Sequence, residues 1–419
     1  MNYTSREWSI YIQENYNDDS EIFTKYHARP FKHLQRHLIY AAQRCDYVDN
    51  GFNFSENFKD FLSNIRLSDN QVKDLKSGHT TLRRRLEEDE TLSKIIISTF
   101  LQGSYRRSTA VKPKNGNKSD VDVIVVTKLD SEEFTPEEAL DLFVPFLEKH
   151  YKDKYRIQGR SIGISLSYVD LDIVPTSAPG ESETGVLQDE AIISEYTVED
   201  FQQKLLTKSF NNDLLKSAYN IFYKSDNEPQ WKSEPLLIPD REAEKWDKTH
   251  PLEQIRWTVE KNKNCNTHYI NVVKALKWWR KTQYPDMKHP KSYPLEHFIG
   301  DCCPDDIKSV AEGVVLTLEN IVSQYTNKPF LADRGVPEHD VFARITDEEY
   351  SDFYDTVCDA AKIAREAFDC EELYDSVCKW RELFGNEFPP APKPSKSNSS
   401  TGFTTRTEKS AAIPEGRFA

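Results

Sequence analysis

The fold of this chain is decided by two stretches, Leu101-Gln102-Gly103-Ser104 and Asp120-Val121-Asp122-Val123-Ile124-Val125-Val126. The β-branched residues before Gly103 predict a strand that ends in a tight turn, and the second stretch predicts another strand. Because side chains on a strand alternate between its two faces, Asp120 and Asp122 point the same way. These like charges repel each other, and a divalent cation is the usual means of offsetting such repulsion.

A second pair of carboxylates, Asp170 and Asp172, repeats this geometry. Residues 156–175 alternate between apolar and polar side chains, which predicts a hairpin. If its second arm lies beside the strand of Asp120 and Asp122, three or four carboxylates come together. Such a set suits two Mg²⁺ ions, about 3.5–4 Å apart, which activate an attacking hydroxyl and bind a transferring phosphate.

Residues close to the first strand are candidates for binding phosphates. Gly103 lets the backbone approach a triphosphate closely, and Ser104 with its neighbouring N–H groups can hold the phosphate oxygens. Arg106 and Arg107 fit a phosphate contact and an ordinary surface charge equally well.

A further group of cations comes from the second half of the chain. On the helix that its periodicity predicts, Lys274, Lys277 and Lys281 share one side, next to a buried apolar stripe. Lysines in this arrangement are usually solvated, but an acidic protein that handles triphosphates must supply its positive charge locally. Ser292 and Tyr293 follow, and they offer a hydroxyl and an aromatic ring that could position a base by stacking.

The order of the predicted elements gives an α+β fold. A helical pattern precedes the first strand, and a helix start at Thr135, where Glu138 completes a capping box, follows the second. From about residue 251 to 384 the periodicity is helical throughout. We expect a mixed sheet with helices packed on a mainly α-helical half. The predicted boundaries are a helical N-terminal extension of open role at 1–57, a catalytic core at 58–245, a helical half at 246–387 and a flexible tail at 388–419.

The composition excludes several classes of protein. The 419 residues carry 55 Lys and Arg against 69 Asp and Glu, a net charge of −14. An acidic body argues against stable, sequence-independent DNA binding, which needs a basic surface. No apolar run approaches the roughly eighteen residues of a membrane span, the acidic start is unlike a signal peptide, and the seven scattered cysteines suggest reduced thiols. We therefore expect no membrane association and a cytoplasmic location.

These residues resemble the nucleotidyltransferase signature of the polymerase-β superfamily. Lys274-Ala275-Leu276-Lys277-Trp278-Trp279 and Tyr293-Pro294-Leu295-Glu296 narrow the resemblance to the branch of oligoadenylate synthase and cyclic GMP-AMP synthase. Longer stretches are similar to bacterial CD-NTases of clade D, the cyclic trinucleotide synthases of CBASS anti-phage defence. These stretches are FLQGSYRRSTA, DVDVIVVTKLD, THPLEQIRWTVEKN, HYINVVKALKWWR, YPLEHFIG and the terminal GRFA. The similarity begins near residue 58, reaches the last residue and implies a polymerase-β-like core.

The resemblance implies a role for each candidate residue. Asp120, Asp122 and Asp172 would bind two Mg²⁺ ions, with Mn²⁺ as an alternative. Asp172 is preferred over Asp170 because the third acid of the family stands two residues before a Val-Pro or Leu-Pro pair. The nucleotide contacts would be Gln102, Gly103 and Ser104 for the donor, Lys274 and Lys277 for its phosphates, and Ser292 and Tyr293 near its base. The implied reaction joins ATP, in some members with GTP, into cyclic AMP-AMP-AMP or cyclic AMP-AMP-GMP and releases pyrophosphate.

The resemblance also implies partners. In related systems a ubiquitin-transfer-like protein conjugates the C-terminal residue of the synthase, which is Ala419 here, and a downstream effector senses the cyclic nucleotide. The predicted flexible tail, which ends Gly416-Arg417-Phe418-Ala419, fits that use.

Other functions remain open at this stage. A linear 2′-5′ oligoadenylate synthase, or an enzyme that adds nucleotides to an RNA end or a drug, would share the three Asp residues. The first needs a basic RNA-binding groove, and the second needs a basic RNA surface or a much shorter chain. A net charge of −14 argues against a basic surface. A non-catalytic binding module would tolerate loss of an acid, and all three acids are present.

Overall fold

The computed structural model describes residues 54–114, 116–178, 197–200 and 234–391. Most of the predicted N-terminal extension and most of the predicted tail, including Ala419, lie outside the described residues. Within the described part of the chain, no helix combines the length and the apolar character that crossing a membrane requires. The cysteines in this part are free thiols, as predicted.

Two helices open the described chain, α1 (Phe54–Ile65) and α2 (Asp69–Glu88). Ser68 caps α2: its hydroxyl accepts a hydrogen bond from the backbone N–H of Gln71, whose side chain accepts one from the backbone N–H of Ser68. This reciprocal pair satisfies two N–H groups that lack a partner within the helix. The predicted helical region before the first strand is confirmed.

The following segment alternates strands and short helices. They are β1 (Ile96–Gln102), α3 (Gly103–Arg106), β2 (Asp120–Thr127), α4 (Pro136–Asp141), α5 (Val144–Tyr151), β3 (Tyr155–Ile157), β4 (Ile162–Ser165), β5 (Asp170–Ser177), β6 (Leu236–Asp240) and β7 (Lys245–Thr249). The predicted helix start is confirmed, since Thr135 and Glu138 form the capping box of α4. A second helix, α5, follows directly and has Pro145 in its first turn, where a missing N–H costs nothing.

In the described residues the strands form one seven-stranded mixed sheet. Its order is β1-β2-β5-β4-β3, and β6 pairs with both β5 and β7. The pair β2 and β5 is parallel, whereas β1 with β2, β3 with β4 and β4 with β5 are antiparallel. The hairpin predicted over 156–175 is thus present, as three strands rather than two arms.

Helices make up most of the chain from Pro251 to Phe384, as its periodicity predicts, but residues 325–346 are not helical, so the prediction of helix throughout is wrong there. The helices are α6 (Pro251–Asn264), α7 (Tyr269–Gln283), α8 (Ser292–Cys302), α9 (Val310–Gln324), α10 (Asp347–Asp369) and α11 (Leu373–Phe384). Helix α1 packs against the end of this region, where the rings of Phe61 and Phe384 stack with centroids 4.5 Å apart. The boundaries between domains stay a prediction.

The sheet separates two hydrophobic cores. Val121 and Val123 of β2 point into one core, which α2 and α5 cover. Ile124 and Val126 alternate with them and point into a second core, which the helices α6 to α11 cover. Since Asp120 and Asp122 have the same parity as Ile124, these carboxylates lie on the face that meets the helical half.

Candidate active site

The parallel pairing of β2 with β5 brings the predicted carboxylates together. Asp120 lies opposite Asp170, and Asp122 lies opposite Asp172. On the other side of β2, Gln102 of β1 lies opposite Asp122. The Gly-Ser turn and both carboxylate pairs therefore meet at one edge of the sheet.

The position of the Asp122 carboxylate requires glycine at residue 103. The φ angle of Gly103 is +79°, in the left-handed region that residues with a Cβ seldom adopt. A Cβ built at Gly103 would lie 1.8 Å from Oδ2 of Asp122. The turn therefore presents bare backbone to the carboxylate, and any side chain here would displace it.

The carboxylates repel one another. Burial, together with the charges of Asp120 and Asp172, raises the pKa of Asp122 to about 7, and the charge of Arg107 opposes the rise. Burial likewise raises the pKa of Asp172 to about 6, with contributions from Asp120 and Asp170. Carboxylate oxygens are the ligands that Mg²⁺ prefers, and its charge would relieve this repulsion. Within the described residues, no group of three or more His, Cys, Asp or Glu side chains is already arranged to coordinate a metal ion. The fit to Mg²⁺ therefore rests on the chemistry and the charge of the donors.

Asp170 is engaged differently from Asp172. Oδ1 of Asp170 accepts a hydrogen bond from Oγ of Ser165 at 2.7 Å and lies 3.1 Å from Nζ of Lys118. Oδ1 of Asp172 accepts a hydrogen bond from Nε2 of Gln158 at 3.1 Å, and no described Lys or Arg forms an ion pair with it. The charge of Asp170 thus already has a cationic partner, which favours Asp172 as the third metal ligand.

The lysines of α7 are buried, so the solvated interpretation is wrong for two of them. Lys274 is 3% exposed and Lys277 is 7% exposed. Nζ of Lys274 lies 3.0 Å from Oε1 of Glu199. Burial lowers the pKa of Lys274 to about 8, although the charge of Glu199 raises it. Nζ of Lys281 donates a hydrogen bond to the carbonyl of Lys112 at 3.2 Å.

A buried ion network, which the sequence did not predict, surrounds Glu296 of α8. Its Oε1 accepts a hydrogen bond from Nε of Arg107 at 2.6 Å. Its Oε2 accepts hydrogen bonds from Oγ1 of Thr109 at 2.7 Å and Nζ of Lys277 at 3.3 Å. Burial alone would raise the pKa of Glu296, but the charges of Arg107 and Lys277 outweigh burial and lower the pKa to about 2. The network ties the loop after α3 to helices α7 and α8.

A signal for this network was present in the sequence. Glu296 interrupts the apolar run that includes Leu295, Phe298 and Ile299, and a charge buried in such a run needs a charged partner. Arg106 and Arg107 are 2% and 4% exposed, so the surface interpretation is wrong for both.

The cations around Glu296 lie within electrostatic reach of the carboxylates. Burial lowers the pKa of Arg107, but Glu296 and, more weakly, Asp122 raise it above its ordinary value. Burial lowers the pKa values of Lys277 and Lys281, and the charge of Asp120 partly opposes this lowering. This positive charge faces the carboxylate edge from the helical half.

A chain of hydrogen bonds links Gln102 to Tyr293. Nε2 of Gln102 donates to Oε1 of Gln254 at 2.7 Å, and Nε2 of Gln254 donates to Oδ2 of Asp333 at 3.4 Å. The hydroxyl of Tyr293 donates to the same oxygen at 2.6 Å. The guanidinium of Arg107 lies 5.4 Å from the centre of the Tyr293 ring. The hydrogen bond to Asp333 thus restrains the hydroxyl of Tyr293, and the Arg107 guanidinium contacts one face of its ring.

The two predicted serines lie in less constrained positions. Ser104 is in α3, where its carbonyl accepts hydrogen bonds from the backbone N–H groups of Thr109 at 2.8 Å and Ala110 at 3.1 Å. Ser292 is the exposed first residue of α8, next to Tyr293. The structure thus places Gln102 and Gly103 beside Asp122. Lys277 shares Glu296 with Arg107, and the ring of Tyr293 lies under the Arg107 guanidinium.

A mixed sheet that presents two carboxylates on one strand and a third on its parallel neighbour, beside a Gly-Ser turn, defines a class: the chain has the polymerase-β-like nucleotidyltransferase fold. Solved structures share this fold. CdnC of E. coli MS115-1, in its complex with HORMA-deltaN, matches with a TM-score of 0.56 at 17% identity, over 80% of this chain and 98% of that chain. The CD-NTase CdnG of Bradyrhizobium diazoefficiens, in complex with GTP, has the same TM-score at 13% identity, over 80% and 96%.

Sequence comparison then gives the family. The Second Messenger Oligonucleotide or Dinucleotide Synthetase domain matches residues 53–187. A cyclic AMP-AMP-GMP synthase of Enterobacter hormaechei subsp. hoffmannii is 45% identical over 376 residues, 86% of this chain and 98% of the relative. A cyclic AMP-AMP-AMP synthase of an Acinetobacter species is 29% identical over 354 residues, 82% and 88% of the two chains. The chain belongs to the CD-NTase family: it is a nucleotidyltransferase that makes cyclic oligonucleotides. The predicted family, fold class and enzyme class are confirmed.

Proposed function

We propose that this enzyme joins ATP and GTP into the cyclic trinucleotide cyclic AMP-AMP-GMP, with release of pyrophosphate. The 45% identity to the Enterobacter synthase, over 98% of that relative, supports this product. Cyclic AMP-AMP-AMP is the second candidate product, because the Acinetobacter synthase that bears its name is also similar along most of its length.

The parallel register of β2 and β5 carries the proposal. It sets Asp122 beside Asp172, with Asp120 two residues earlier on the same face of β2. We assign these three carboxylates to two Mg²⁺ ions, or to Mn²⁺, which would supply positive charge to the triphosphate and lower the pKa of the attacking hydroxyl. Burial first, and then the neighbouring carboxylates, raise the pKa values of Asp122 and Asp172, and a bound divalent cation would counteract both effects.

The donor triphosphate would lie between the Gly-Ser turn and α7. Gln102, Gly103 and Ser104 would contact it from the sheet. Lys274 would bind its phosphate oxygens in place of Glu199, whose carboxylate now lies 3.0 Å from Nζ. A phosphate is a stronger partner for a buried ammonium than one partly exposed carboxylate, since it offers more charge and more acceptor oxygens.

Lys277 would act through charge rather than by direct contact. Its ammonium pairs with Glu296, and the same carboxylate binds Arg107. One buried carboxylate between two buried cations leaves a net positive charge behind the triphosphate, where it favours the negative charge that develops on pyrophosphate.

The nucleobase would stack on Tyr293, near Ser292. The hydrogen bond from the Tyr293 hydroxyl to Asp333 fixes the ring, so stacking would cost little rotational freedom. The ring would position a base without reading its identity, because every base has an aromatic face.

The cellular role follows from the family resemblance. We propose that the product is a second messenger of CBASS anti-phage defence, made in the cytoplasm and read by an effector. The tail would be the attachment point for a ubiquitin-transfer-like conjugating partner that acts at Ala419. The E. coli CdnC structure shows a different kind of partner for that protein, HORMA-deltaN.

The decisive experiment identifies the product. The purified protein is incubated with Mg²⁺ and all four labelled nucleoside triphosphates, treated with phosphatase and analysed by mass spectrometry. A phosphatase-resistant ring with two AMP units and one GMP unit is the expected product, and a ring of three AMP units would establish the second candidate. An exclusively linear product, in the presence of the conjugating partner, would contradict cyclic trinucleotide synthesis and point to an oligoadenylate synthase.

Two controls keep the result clear. Addition of EDTA should stop product formation, because the carboxylates then lack a divalent ion. Addition of a short RNA tests the remaining alternative, since lengthening of its end would indicate an enzyme that adds nucleotides to RNA.

A further inference from the structure

A cavity of about 270 Å³ lies on the face of the sheet that points away from the carboxylates. Its walls are the second half of α2, the end of α5 and the turn between β4 and β5. Gly78 of α2 packs against Val169 and Leu171, which alternate with the two Asp residues of β5. The cavity therefore lies behind the strand that carries Asp172.

The lining of the cavity is cationic. Its cations are Arg85 and the exposed Lys154, His150 also lines it with a pKa that burial lowers, and none of its lining residues is an Asp or a Glu. Within the described residues, neither Arg85 nor Lys154 has a carboxylate partner. The guanidinium of Arg85 lies 5.3 Å from the centre of the Tyr151 ring, which holds it in the wall.

This charge is unusual in a molecule with a net charge of −14. Like charges repel across a small cavity, and an anion removes that repulsion. Arg84 shows the ordinary alternative, since it faces solvent and pairs with Glu88 four residues later on the same helix. Arg85 follows it directly in the sequence, yet it points into the cavity instead.

The other lining groups suit a phosphorylated small molecule. Thr81 and Ser167 offer hydroxyl groups, and Tyr168, which is 42% exposed, offers an aromatic ring at the rim. The volume is close to the lower end of the range for small-molecule sites. A phosphate group with one attached ring fills such a space.

We propose that this cavity binds a phosphate-bearing small molecule, whose phosphate contacts Arg85 and Lys154 and whose ring lies against Tyr168. The binding site is separate from the active site. A nucleotide and a free inorganic phosphate share the recognised group, and the ring contact distinguishes them.

The bound ligand acts on the active site through the turn between β4 and β5. Leu166 of this turn accepts a hydrogen bond at its carbonyl from Nζ of Lys118, and Lys118 also pairs with Asp170. Ser165 binds the same carboxylate. A ligand that binds residues 166–168 therefore restricts the movement of Asp170 at the start of β5, two residues before Asp172. This regulatory step rests on the proposed function, whereas binding does not.

Binding is tested on the full chain without divalent ions, so that the carboxylate edge repels phosphate. AMP, inorganic pyrophosphate and inorganic phosphate are titrated by calorimetry, and hydrogen exchange is followed at residues 166–168. At least one of these probes is expected to bind and to protect the turn. Arg85→Gln with Lys154→Gln should weaken that binding by about tenfold or more, since two charge-assisted contacts are lost. The matched control, Arg84→Gln with Lys149→Gln, removes the same charge outside the cavity and should bind like the wild type.

The outcomes separate the two parts of the proposal. Tighter binding of AMP than of phosphate identifies a nucleotide, and equal binding identifies a free phosphate. Absence of binding, or equal binding by the Arg85 and Lys154 variant and its control, overturns the site. In the synthase assay, the bound probe should change the rate of the wild type and the control but not of the cavity variant. Binding with no such change overturns the regulatory step alone.

Discussion

The carboxylate edge of the sheet and the buried cations of the helical half contribute opposite charges to one site, but they are built in different ways. The carboxylates are placed by strand alternation and by one parallel pairing, so that backbone geometry alone sets Asp122 beside Asp172. The cations are placed by tertiary contacts: Arg107 and Lys277 come from different elements and meet only at Glu296.

The two regions should therefore respond differently to substitutions. The carboxylates at the edge repel one another, and removal of one charge relieves that repulsion. Loss of a carboxylate should therefore reduce turnover without lowering the free energy of unfolding. In the cation network, one buried carboxylate attracts two buried cations. Loss of that carboxylate should therefore mainly lower the free energy of unfolding. Each of the following predictions tests one side of this contrast.

The largest expected effect is on catalysis at the carboxylate edge. Asp120→Asn with Asp122→Asn removes metal-binding charge without removing volume, so turnover should fall roughly a thousandfold or more, which is a loss of about 4 kcal/mol of transition-state stabilisation. The fold should be retained, and without divalent ions the melting temperature should not fall. Steady-state rates and thermal unfolding measure the two effects. Retained activity would contradict the assignment of the metal site.

Asp170→Asn is the matched control for that variant. Asp170 shares the face of Asp172, but it already pairs with Lys118. Its loss should reduce turnover far less than Asp172→Asn does. An equal loss in both single variants would show that all four carboxylates bind metal.

The next effect is on stability at the cation network. Glu296→Gln leaves Arg107 and Lys277 buried without a negative partner, which should lower the free energy of unfolding by about 3–5 kcal/mol at pH 7. The pKa of Glu296 in the folded protein, about 2, lies below its ordinary value of 4.5. The stability that its charge supplies is therefore complete above the ordinary pKa and is lost as the pH falls through the folded value. Denaturant unfolding at a series of pH values should show a constant difference above pH 4.5 and convergence of the two proteins as the pH falls from 4.5 towards about 2.

Glu319→Gln provides a comparison at a less buried ion pair. Glu319 pairs with Arg365, and both side chains are partly exposed. Its loss should cost about 1 kcal/mol or less. A loss as large as that of Glu296→Gln would mean that burial does not distinguish the two pairs.

The same contrast explains how much could be predicted from the sequence. The strands β1, β2, β4 and β5, the capping box at Thr135 and the placement of two carboxylates on one face follow from local periodicity, and the structure contains all of them, whereas β3, β6 and β7 were not predicted. The burial of Lys274 and Lys277 does not follow from periodicity, because a helix places these residues on one side without revealing what packs there. Arg107 is the clearest case, since its partner Glu296 lies 189 residues further along the chain.

A smaller effect is expected at the Gly-Ser turn. Gly103→Ala forces a Cβ toward Oδ2 of Asp122 and places Ala at a φ of +79°, which costs about 1–2 kcal/mol by itself. Turnover should fall by about tenfold or more, because Asp122 must move. Gly116→Ala is the control: its φ is +77° and a Cβ there meets nothing within 4 Å. Equal activity of the two variants would show that backbone strain, and not the position of Asp122, sets the effect.

The smallest expected effect concerns the pH dependence of substrate binding at Lys274. Burial lowers its pKa to about 8, so the ammonium of the free enzyme loses its proton as the pH rises above 8. If Lys274 binds the triphosphate, the KM for ATP should then rise, by about tenfold for the loss of one charged contact. Lys274→Arg keeps its charge at every accessible pH and should flatten this rise, whereas Lys362→Arg, at an exposed lysine of α10, should keep the wild-type profile. Identical profiles for all three proteins would remove Lys274 from the triphosphate site and leave the positive charge there to the network of Glu296.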